Sequence, residues 1–421
     1  MLQILKKAIP KSVFQLFQPT YHYLLALAGA LIYRFPSKHL LVVGVTGTKG
    51  KSTTTEVLNA IFEAAGYTTA LQNTLRFKIG DTEERNLYKM SMPGRFFMQK
   101  FLRDAVTAGA KVAILELTSE GAKQYRHKFI SLDALIFTNL APEHIESHGS
   151  YLNYINAKVS IAKELESSNK PNPAIVANAD DKEAERFLEL NIKTKIPYSL
   201  KDAVGVKADE KGSSFQIGKV VVHSKLPGVF NVSNMLGAIA AASHFGISPE
   251  TAKIGIEKLN MVRGRMEKID GGQEFDVVVD YAHTPDSLKA VYETYKGHKT
   301  ICILGNTGGG RDTWKRKEMG KIADKYCSEI ILANEDPYDE DPEKILEEMR
   351  IGIKKKPVQI ILDRREAINR ALQIAKEKTA EHKKVAVLIT GKGTDPYIMG
   401  ADGSKQEWDD AQVVREELQK I

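Results

Sequence analysis

Residues 44–55 read GVTGTKGKSTTT, a glycine-rich turn that ends in Gly50, Lys51 and Ser52. The apolar run Leu40, Leu41, Val42, Val43 precedes it, and a helix-like stretch over 56–65 follows. Strand, turn and helix in that order build a phosphate cradle. Backbone N–H groups opened by Gly47 and Gly50 wrap phosphate oxygens at a helix N-terminus, where the helix dipole favours negative charge. Lys51 is placed to reach the β- and γ-phosphates, and the Ser52 hydroxyl to ligate Mg2+. The general pattern asks for glycine at position 45, where this chain has Val45, so the motif is the variant TGT-x-GK-[ST]-T. The chain is expected to bind ATP with Mg2+.

Outward from this turn, apolar strands alternate with helical stretches, with strands over 40–45, 112–117 and 134–139 and a long helix over 151–166. Such alternation predicts α/β architecture with a doubly wound, mainly parallel sheet. A strand over 174–179 and an alanine-rich helix over 232–244 continue the pattern. It restarts near Phe275, with strands over 277–280, 300–304, 330–333, 359–362 and 385–390, which predicts a second, Rossmann-like α/β domain. The short basic stretch Val262, Arg263, Gly264, Arg265 reads as the linker. The expected organisation is an N-terminal segment 1–38, a central P-loop ATPase domain 39–264 and a C-terminal domain 265–421.

A chain of 421 residues suffices for two or three domains with separate cores. Its 60 basic and 53 acidic residues leave a net charge of +7, which suits clefts holding phosphates or carboxylates. The basic residues are dispersed and aromatics do not interleave with them, which argues against nucleic-acid binding. Cys302 and Cys327 lie in apolar runs with no C-x-x-C pairing, and read as buried thiols of a reducing, cytoplasmic compartment.

Residues 1–38 carry Lys6, Lys7, Lys11, Arg34 and Lys38 and no acid, around an apolar run over 23–33. That run is too short to span a bilayer, which takes about 20 apolar residues. No small-residue cleavage site follows it, so it is not a signal peptide. Two readings stay open: a helix packed on the body of the protein, and a basic amphipathic anchor lying at the inner face of the membrane.

The segment 138–149 reads TNLAPEHIESHG directly after a strand, and loops at the carboxyl ends of strands in an open sheet are where ligands sit. Glu116, at the end of another strand, reaches the same sheet edge and offers a hard oxygen ligand to Mg2+.

These residues carry a resemblance. TGTKGKSTT, LELTSEG, FTNLAPEHIESHGSYLNYINAK, FNVSNMLGAIAA, GRME, VVDYAHTPDSL, GGGRD and GKGTDPY occur in the order seen in Mur ligases, over roughly 39–421. The chain most resembles the branch that adds the third amino acid to a muramoyl-peptide precursor. The resemblance implies ATP-dependent amide formation through an acyl phosphate, with a muramoyl-peptide-like acceptor and a small-molecule amino acid as substrates. It implies that Lys51 and Ser52 hold the triphosphate and one Mg2+, that Glu116 ligates that ion, and that His144 binds a second Mg2+. Lys158 falls on the lysine that the family carbamoylates, turning a cation into an anion able to help bind metal. Further implied ATP contacts are Gly47, Thr48, Gly50 and Thr53, Asn231 and Asn234 near the adenine, Arg265, and Asp280 at the ribose. Implied substrate contacts are Ser91, Arg126, His283 and Arg311, the last gripping the α-carboxylate of the incoming amino acid. Closure about the 262–265 linker is expected to bring the reactants together and exclude water.

Three departures from the family pattern matter. Only 38 residues precede the first strand, where the family has a domain for the UDP moiety, so a lipid-linked acceptor enters consideration. Ser91, Met92 and Pro93 replace a Thr-Thr-Pro segment, and Glu120 stands where histidine is usual. Finally, 335–341 reads EDPYDED, where diaminopimelate-adding members have Asp-Asn-Pro-Arg with an arginine for the distal carboxylate. Tyr338 cannot form that ion pair. Asp336, Asp339 and Asp341, with Asp395, favour a side chain ending in a cation, and L-lysine is the expected amine. The competing readings are a ligase of the same superfamily acting on another acceptor, such as a folylpolyglutamate- or cyanophycin-type synthetase, and a non-catalytic ATP-binding partner.

Overall fold

A computed structural model of the chain describes residues 11–143 and 145–421. They divide into two compact units. The first takes in Ala141 and the described residues before it, Tyr151–Asp202 and Ser233–Gly255. The second takes in the described residues of Pro142–Ser150, together with Ala203–Val232 and Ile256–Ile421.

The first unit is built on β1 (Leu41–Thr46), β2 (Thr69–Gln72), β3 (Arg76–Ile79), β4 (Thr82–Arg85), β5 (Val112–Glu116), β6 (Ala134–Phe137), β7 (Ala174–Asn178) and β8 (Thr194–Tyr198). They form an eight-stranded sheet in the order β4-β3-β2-β5-β1-β6-β7-β8. Only the β2–β3 and β3–β4 pairs are antiparallel. The central strands β5, β6 and β7 are buried throughout, as strands covered by helices on both faces must be, and therefore read as continuous apolar runs. Because β1 lies between β5 and β6, the chain leaves its neighbours in opposite directions. This is the switch point of a doubly wound sheet, where a crevice opens at the strand ends. The register pairs Val45 with Glu116 and Thr46 with Phe137, so three strand ends converge there.

The helix Lys11–Ile32 packs on the helix Arg95–Thr107 through Ala26, Gly29 and Ala30. A Cβ added to Gly29 would lie 3.6 Å from the Arg95 carbonyl, so a small residue permits this approach. Tyr23 sets its ring against Phe129 and Tyr125. Arg103 Nε and Nη2 donate to the Tyr33 carbonyl at 3.0 and 2.8 Å, satisfying an acceptor beyond the helix C-terminus. No described helix is long and apolar enough to cross a membrane. Lys6 and Lys7 lie outside the described residues.

In the second unit β9 (Val204–Ala208), β10 (Ser213–Ile217) and β11 (Val220–Ser224) form a small antiparallel sheet. The strands β12 (Glu267–Lys268), β13 (Asp276–Asp280), β14 (Lys299–Leu304), β15 (Glu329–Leu332), β16 (Val358–Ile360) and β17 (Val385–Thr390) form a six-stranded sheet in the order β12-β13-β17-β14-β15-β16. All but β12 run parallel. Apolar clusters line both faces of this sheet. On one face Arg364 and Asp410 form a fully buried ion pair, and Trp408 Nε1 donates to the same carboxylate at 2.8 Å.

One expectation is corrected here. Cys302 and Cys327 are joined in a disulfide rather than standing as separate thiols. Cys302 lies on β14, and the helix Lys315–Tyr326 carries the chain back so that Cys327 enters the adjacent parallel strand with a Cα–Cα separation of 6.0 Å. Sequence spacing gave no sign of this proximity, and the cysteines carry no argument about compartment.

Candidate active site

Gly47 and Gly50 both adopt positive φ, at 150° and 80°. A Cβ on Gly47 would meet Thr138 Oγ1 at 1.9 Å, and one on Gly50 would meet Asn234 Oδ1 at 2.2 Å. Glycine is therefore demanded at both positions by backbone conformation and by space. The loop between them is clamped from the end of β6: Thr48 N donates to the Asn139 carbonyl (2.8 Å), Lys49 N to Asn139 Oδ1 (2.9 Å) and Thr138 Oγ1 to the Lys49 carbonyl (2.7 Å). Lys51 opens the helix Lys51–Ala64, and its Nζ donates to the Thr48 carbonyl at 2.9 Å. Thr53 is buried in the first turn.

Glu116 is buried at the end of β5, and both its oxygens are engaged. Ser52 Oγ and Thr74 N donate to Oε2 at 2.8 and 3.0 Å, while Thr74 Oγ1 and Ser91 Oγ donate to Oε1 at 2.8 and 2.9 Å. Burial alone would raise the pKa of this carboxyl. The Lys51 charge, the Thr74 N–H and the Ser52 and Thr74 hydroxyls outweigh burial and hold it below the ordinary value. The hydroxyl and the ionised carboxylate form an all-oxygen donor pair that fits Mg2+, which takes its other ligands from phosphate and water. Among the described residues no group of three or more His, Cys, Asp or Glu is placed to hold a metal.

Taken from its sequence neighbours, Lys158 would be a solvated residue of the helix Tyr151–Glu166. It is buried instead, and its Nζ donates to the Gly47 carbonyl at 2.7 Å. Tyr154, one turn earlier, lies under the same ammonium at 4.9 Å and shares a 2.8 Å hydrogen bond with Thr48 Oγ1. One helix face thus supports the start of the phosphate loop, at Gly47 and Thr48. His144 lies outside the described residues.

Arg126 Nη2 donates to Gln124 Oε1 at 2.8 Å and Nη1 donates to the Met92 carbonyl, next to Ser91. Asn231 and Asn234 share the helix Val229–His244; Asn231 Nδ2 donates to the Pro227 carbonyl at 2.8 Å, while Asn234 faces Gly50.

In the second unit, Asp280 accepts from Met266 N and Ala282 N, both at 2.7 Å, and so pins the turn carrying Arg265. Arg265 stacks on Tyr281 at 4.6 Å. His283 Nε2 lies 2.9 Å from Glu143 Oε1. Arg311 lies over the Tyr338 ring at 4.8 Å. Tyr338 itself has a φ of 52°, an uncommon conformation for a bulky residue.

The acidic segment differs from its sequence reading. Asp336 and Asp395 converge on the buried Lys392, whose Nζ donates to Asp336 Oδ1 at 2.9 Å and Asp395 Oδ2 at 3.0 Å. Asp339 accepts from Asp402 N (2.8 Å), and Asp341 caps the helix Pro342–Arg350. The four acids are therefore not a free negative patch. Glu335, which the sequence reading passed over, is buried with Oε1 accepting from Thr307 Oγ1 at 2.9 Å and no hydrogen bond to Oε2. Thr74 also escaped notice, and Thr138, Tyr154 and Lys392 lay within quoted motifs but received no role, because each bonds at least one partner remote in sequence.

Fold and cradle together define a P-loop nucleotide-binding protein with a second α/β domain. The family described as Mur ligase middle domain matches residues 45–242, and that described as Mur ligase, glutamate ligase domain, matches 264–393. The UDP-N-acetylmuramoyl-L-alanyl-D-glutamate–2,6-diaminopimelate ligase of Syntrophomonas wolfei is 36% identical over 409 residues, covering 94% of this chain and 81% of that protein. A solved structure of a ligase of the same description superposes with a TM-score of 0.61 at 29% identity, covering 90% of this chain and 78% of that one. Folylpolyglutamate synthase of Mycobacterium tuberculosis shares the fold, with a TM-score of 0.70 at 14% identity, over 87% of this chain and 91% of that one. The chain belongs to the Mur ligase family. It is an ATP-dependent acid–amino-acid ligase.

Proposed function

We propose that the chain joins an amino acid to a carboxylate of a muramoyl-peptide precursor through an acyl phosphate. The observation that carries this reading is the Ser52–Glu116 pair set against a phosphate loop held by Lys158. A carboxylate oxygen of the acceptor attacks the γ-phosphorus, the bond to the β-phosphate oxygen breaks, and ADP leaves. The amine then attacks the acyl carbon, phosphate departs, and the ammonium proton is lost. Lys51 and the loop N–H groups, with Thr48 and Thr53, take the charge spreading over the phosphates. Ser52 and Glu116 would hold Mg2+, which when bound neutralises phosphate charge and orients the γ-group. Lys158 is assigned as the carbamoylated lysine; a carbamate keeps one N–H, enough to preserve the bond to the Gly47 carbonyl. His144 is assigned to a second Mg2+. Asn231, Asn234, Arg265 and Asp280 are assigned to the nucleoside, and Ser91, Arg126 and His283 to the acceptor and amine.

L-Lysine remains the amine we favour, on a revised ground. Asp336, Asp395 and Glu335 bring three buried carboxylates beside the single buried ammonium of Lys392, with the Arg364 and Arg265 guanidiniums within electrostatic reach. After burial itself, the charge of Asp395 is the largest influence raising the Tyr281 pKa; Arg265 opposes it, and Asp336 and Glu335 push with Asp395. A side-chain ammonium fits that potential, whereas the relatives' printed amine, diaminopimelate, brings a distal carboxylate that Tyr338 has no charge to receive. Product mass and phosphate release with UDP-N-acetylmuramoyl-L-Ala-D-Glu should show lysine preferred over meso-diaminopimelate by at least about tenfold in kcat/KM. Turnover with diaminopimelate alone would remove the lysine assignment, and turnover with neither would remove the acceptor.

A second reading concerns location. Phe17, Tyr21, Leu24 and Leu31 recur at helical spacing, and with Ile32 they stay exposed on Lys11–Ile32, near the exposed bases Arg34 and Lys38. This supports peripheral contact with an anionic bilayer. The chain should cosediment with phosphatidylglycerol vesicles at low salt. Replacing Leu24 and Leu31 by Ser should abolish that binding without changing turnover of a soluble acceptor; vesicle binding unaffected by both changes would rule out this contact.

A further inference from the structure

Arg95 and Arg126 stand side by side around one residue, Gln124. Arg95 Nε donates to the Gln124 carbonyl and Arg126 Nη2 to its side-chain oxygen, both at 2.8 Å. Both guanidiniums are half-buried; among the described residues neither is in a salt bridge with a carboxylate, and the nearest acidic influence is the charge of Glu120 on Arg126. Burial lowers the pKa of each, and the charge of Arg126 lowers that of Arg95 further. Two cations whose direct hydrogen bonds go to neutral oxygens repel each other, and the Glu120 charge offsets this only at Arg126. Arg95 also opens the helix Arg95–Thr107, whose cap Gly94 supplies no side-chain acceptor and whose first turn has no acid, so its N-terminal dipole adds to the positive potential.

A third group comes from the N-terminal helix. His22 Nδ1 meets Arg95 Nη2. An arginine can only donate, so the ring nitrogen facing it accepts.

The cluster continues from the phosphate loop outward. Ser52 bonds Glu116, Glu116 bonds Ser91, and Arg126 bonds the carbonyl of the adjacent Met92 before Gln124 leads to Arg95 and His22. An acceptor whose reacting carboxylate lies at the loop would extend along this path.

We propose that Arg95 and His22 extend the acceptor site beyond Arg126, forming with it a cationic cradle for a second oxyanion of the acceptor, a carboxylate or a phosphate ester. The assignment rests on the acceptor being anionic at more than its reacting group, as the muramoyl-peptide reading requires. It gives the helix Lys11–Ile32 a part in substrate binding: Arg95 touches the acceptor, and His22 is a positioning residue for Arg95.

The test uses the full chain. Arg95→Gln and His22→Ala should each raise the acceptor KM about tenfold or more, leaving the ATP KM and thermal midpoint near wild type. His22→Asn, whose Oδ1 can still accept from Arg95, should recover most of the loss, and Arg95→Lys part of it. A merely structural role would instead lower the thermal midpoint and shift both KM values together. With the phosphate loop saturated by a non-hydrolysable ATP analogue, N-acetyl-L-Ala-D-Glu and inorganic pyrophosphate serve as binding probes. Weakened binding of the dipeptide in Arg95→Gln assigns the cradle to a carboxylate, and weakened binding of pyrophosphate assigns it to a phosphate. These titrations need no turnover, so a wild-type enzyme inactive on the muramoyl acceptor would overturn the function above without deciding the cradle. Unchanged acceptor KM and unchanged binding of both probes in Arg95→Gln and Arg95→Lys would overturn the cradle itself.

Discussion

Glu116→Gln is expected to lower kcat by roughly a hundred- to a thousandfold while the ATP KM changes only a few-fold. The amide is isosteric, and its oxygen can take the place of Oε2, keeping the bonds from Thr74 N and Ser52 Oγ. Its NH2 then faces Thr74 Oγ1 and Ser91 Oγ, hydroxyls that can rotate to accept. The fold should therefore survive, and what is lost is the negative charge beside the γ-phosphate position. Single-turnover phosphate release, with nucleotide binding measured separately, checks the split. A variant that bound ATP normally and retained more than about a tenth of wild-type kcat would remove Glu116 from the cation site.

The same residue makes a pH-dependent contribution to stability. Its folded pKa lies below the ordinary 4.5, so the ionised carboxylate stabilises the fold above that value, and the contribution is lost as pH falls through the folded pKa. The stability gap between wild type and Glu116→Gln should be constant at neutral pH and close only in acid. A gap that widened on acidification would contradict the depressed pKa.

How much of this site could be read from residues alone depends on how far each partner lies along the chain. The phosphate loop is local, with glycines, lysine and hydroxyl falling within a few residues. Glu116 was legible too, because a parallel sheet sends consecutive strand ends to one edge, and the register does bring Glu116 opposite Val45. Lys158 came into view only through the resemblance, because the carbonyl it binds is 111 residues away and its own neighbours look like an ordinary helix surface. The edge strand Thr82–Arg85 went unseen for a different reason: its four polar residues, three of them exposed, leave no alternation to detect. The strands β9, β10 and β11 are short and partly exposed, and a pattern search tuned to buried parallel strands passes over them. The acids of the 335–341 segment were seen as a cluster, but their partners were not: the ammonium on Asp336 sits between glycines in a different loop, and Asp339 and Asp341 accept from backbone N–H groups.

That counter-ion is where the largest stability effect is expected. Lys392→Met should destabilise the second unit by about 3–5 kcal/mol, because it removes a buried ammonium shared by two buried carboxylates and leaves both without it. Desolvation pulls the Lys392 pKa down, yet the charges of Asp395 and Asp336 more than reverse this and raise it. A raised lysine pKa means that its stabilisation is complete below the ordinary 10.5 and fades only as pH rises beyond it. The deficit of Lys392→Met, read from denaturant midpoints, should therefore be flat through neutral pH. Adding Asp336→Asn and Asp395→Asn should restore most of the loss, since amides of the same shape need no cation and Asn at 336 can still accept from Met399 N. The triple variant also separates stability from selectivity. With two of the cluster's charges replaced by amides, a folded protein that still preferred lysine to diaminopimelate would place the discrimination on Glu335, whereas loss of the preference would place it on the aspartates. A Lys392→Met deficit below about 1 kcal/mol would mean that the carboxylates are solvated, and the buried-charge basis for choosing a cationic amine would fall with it.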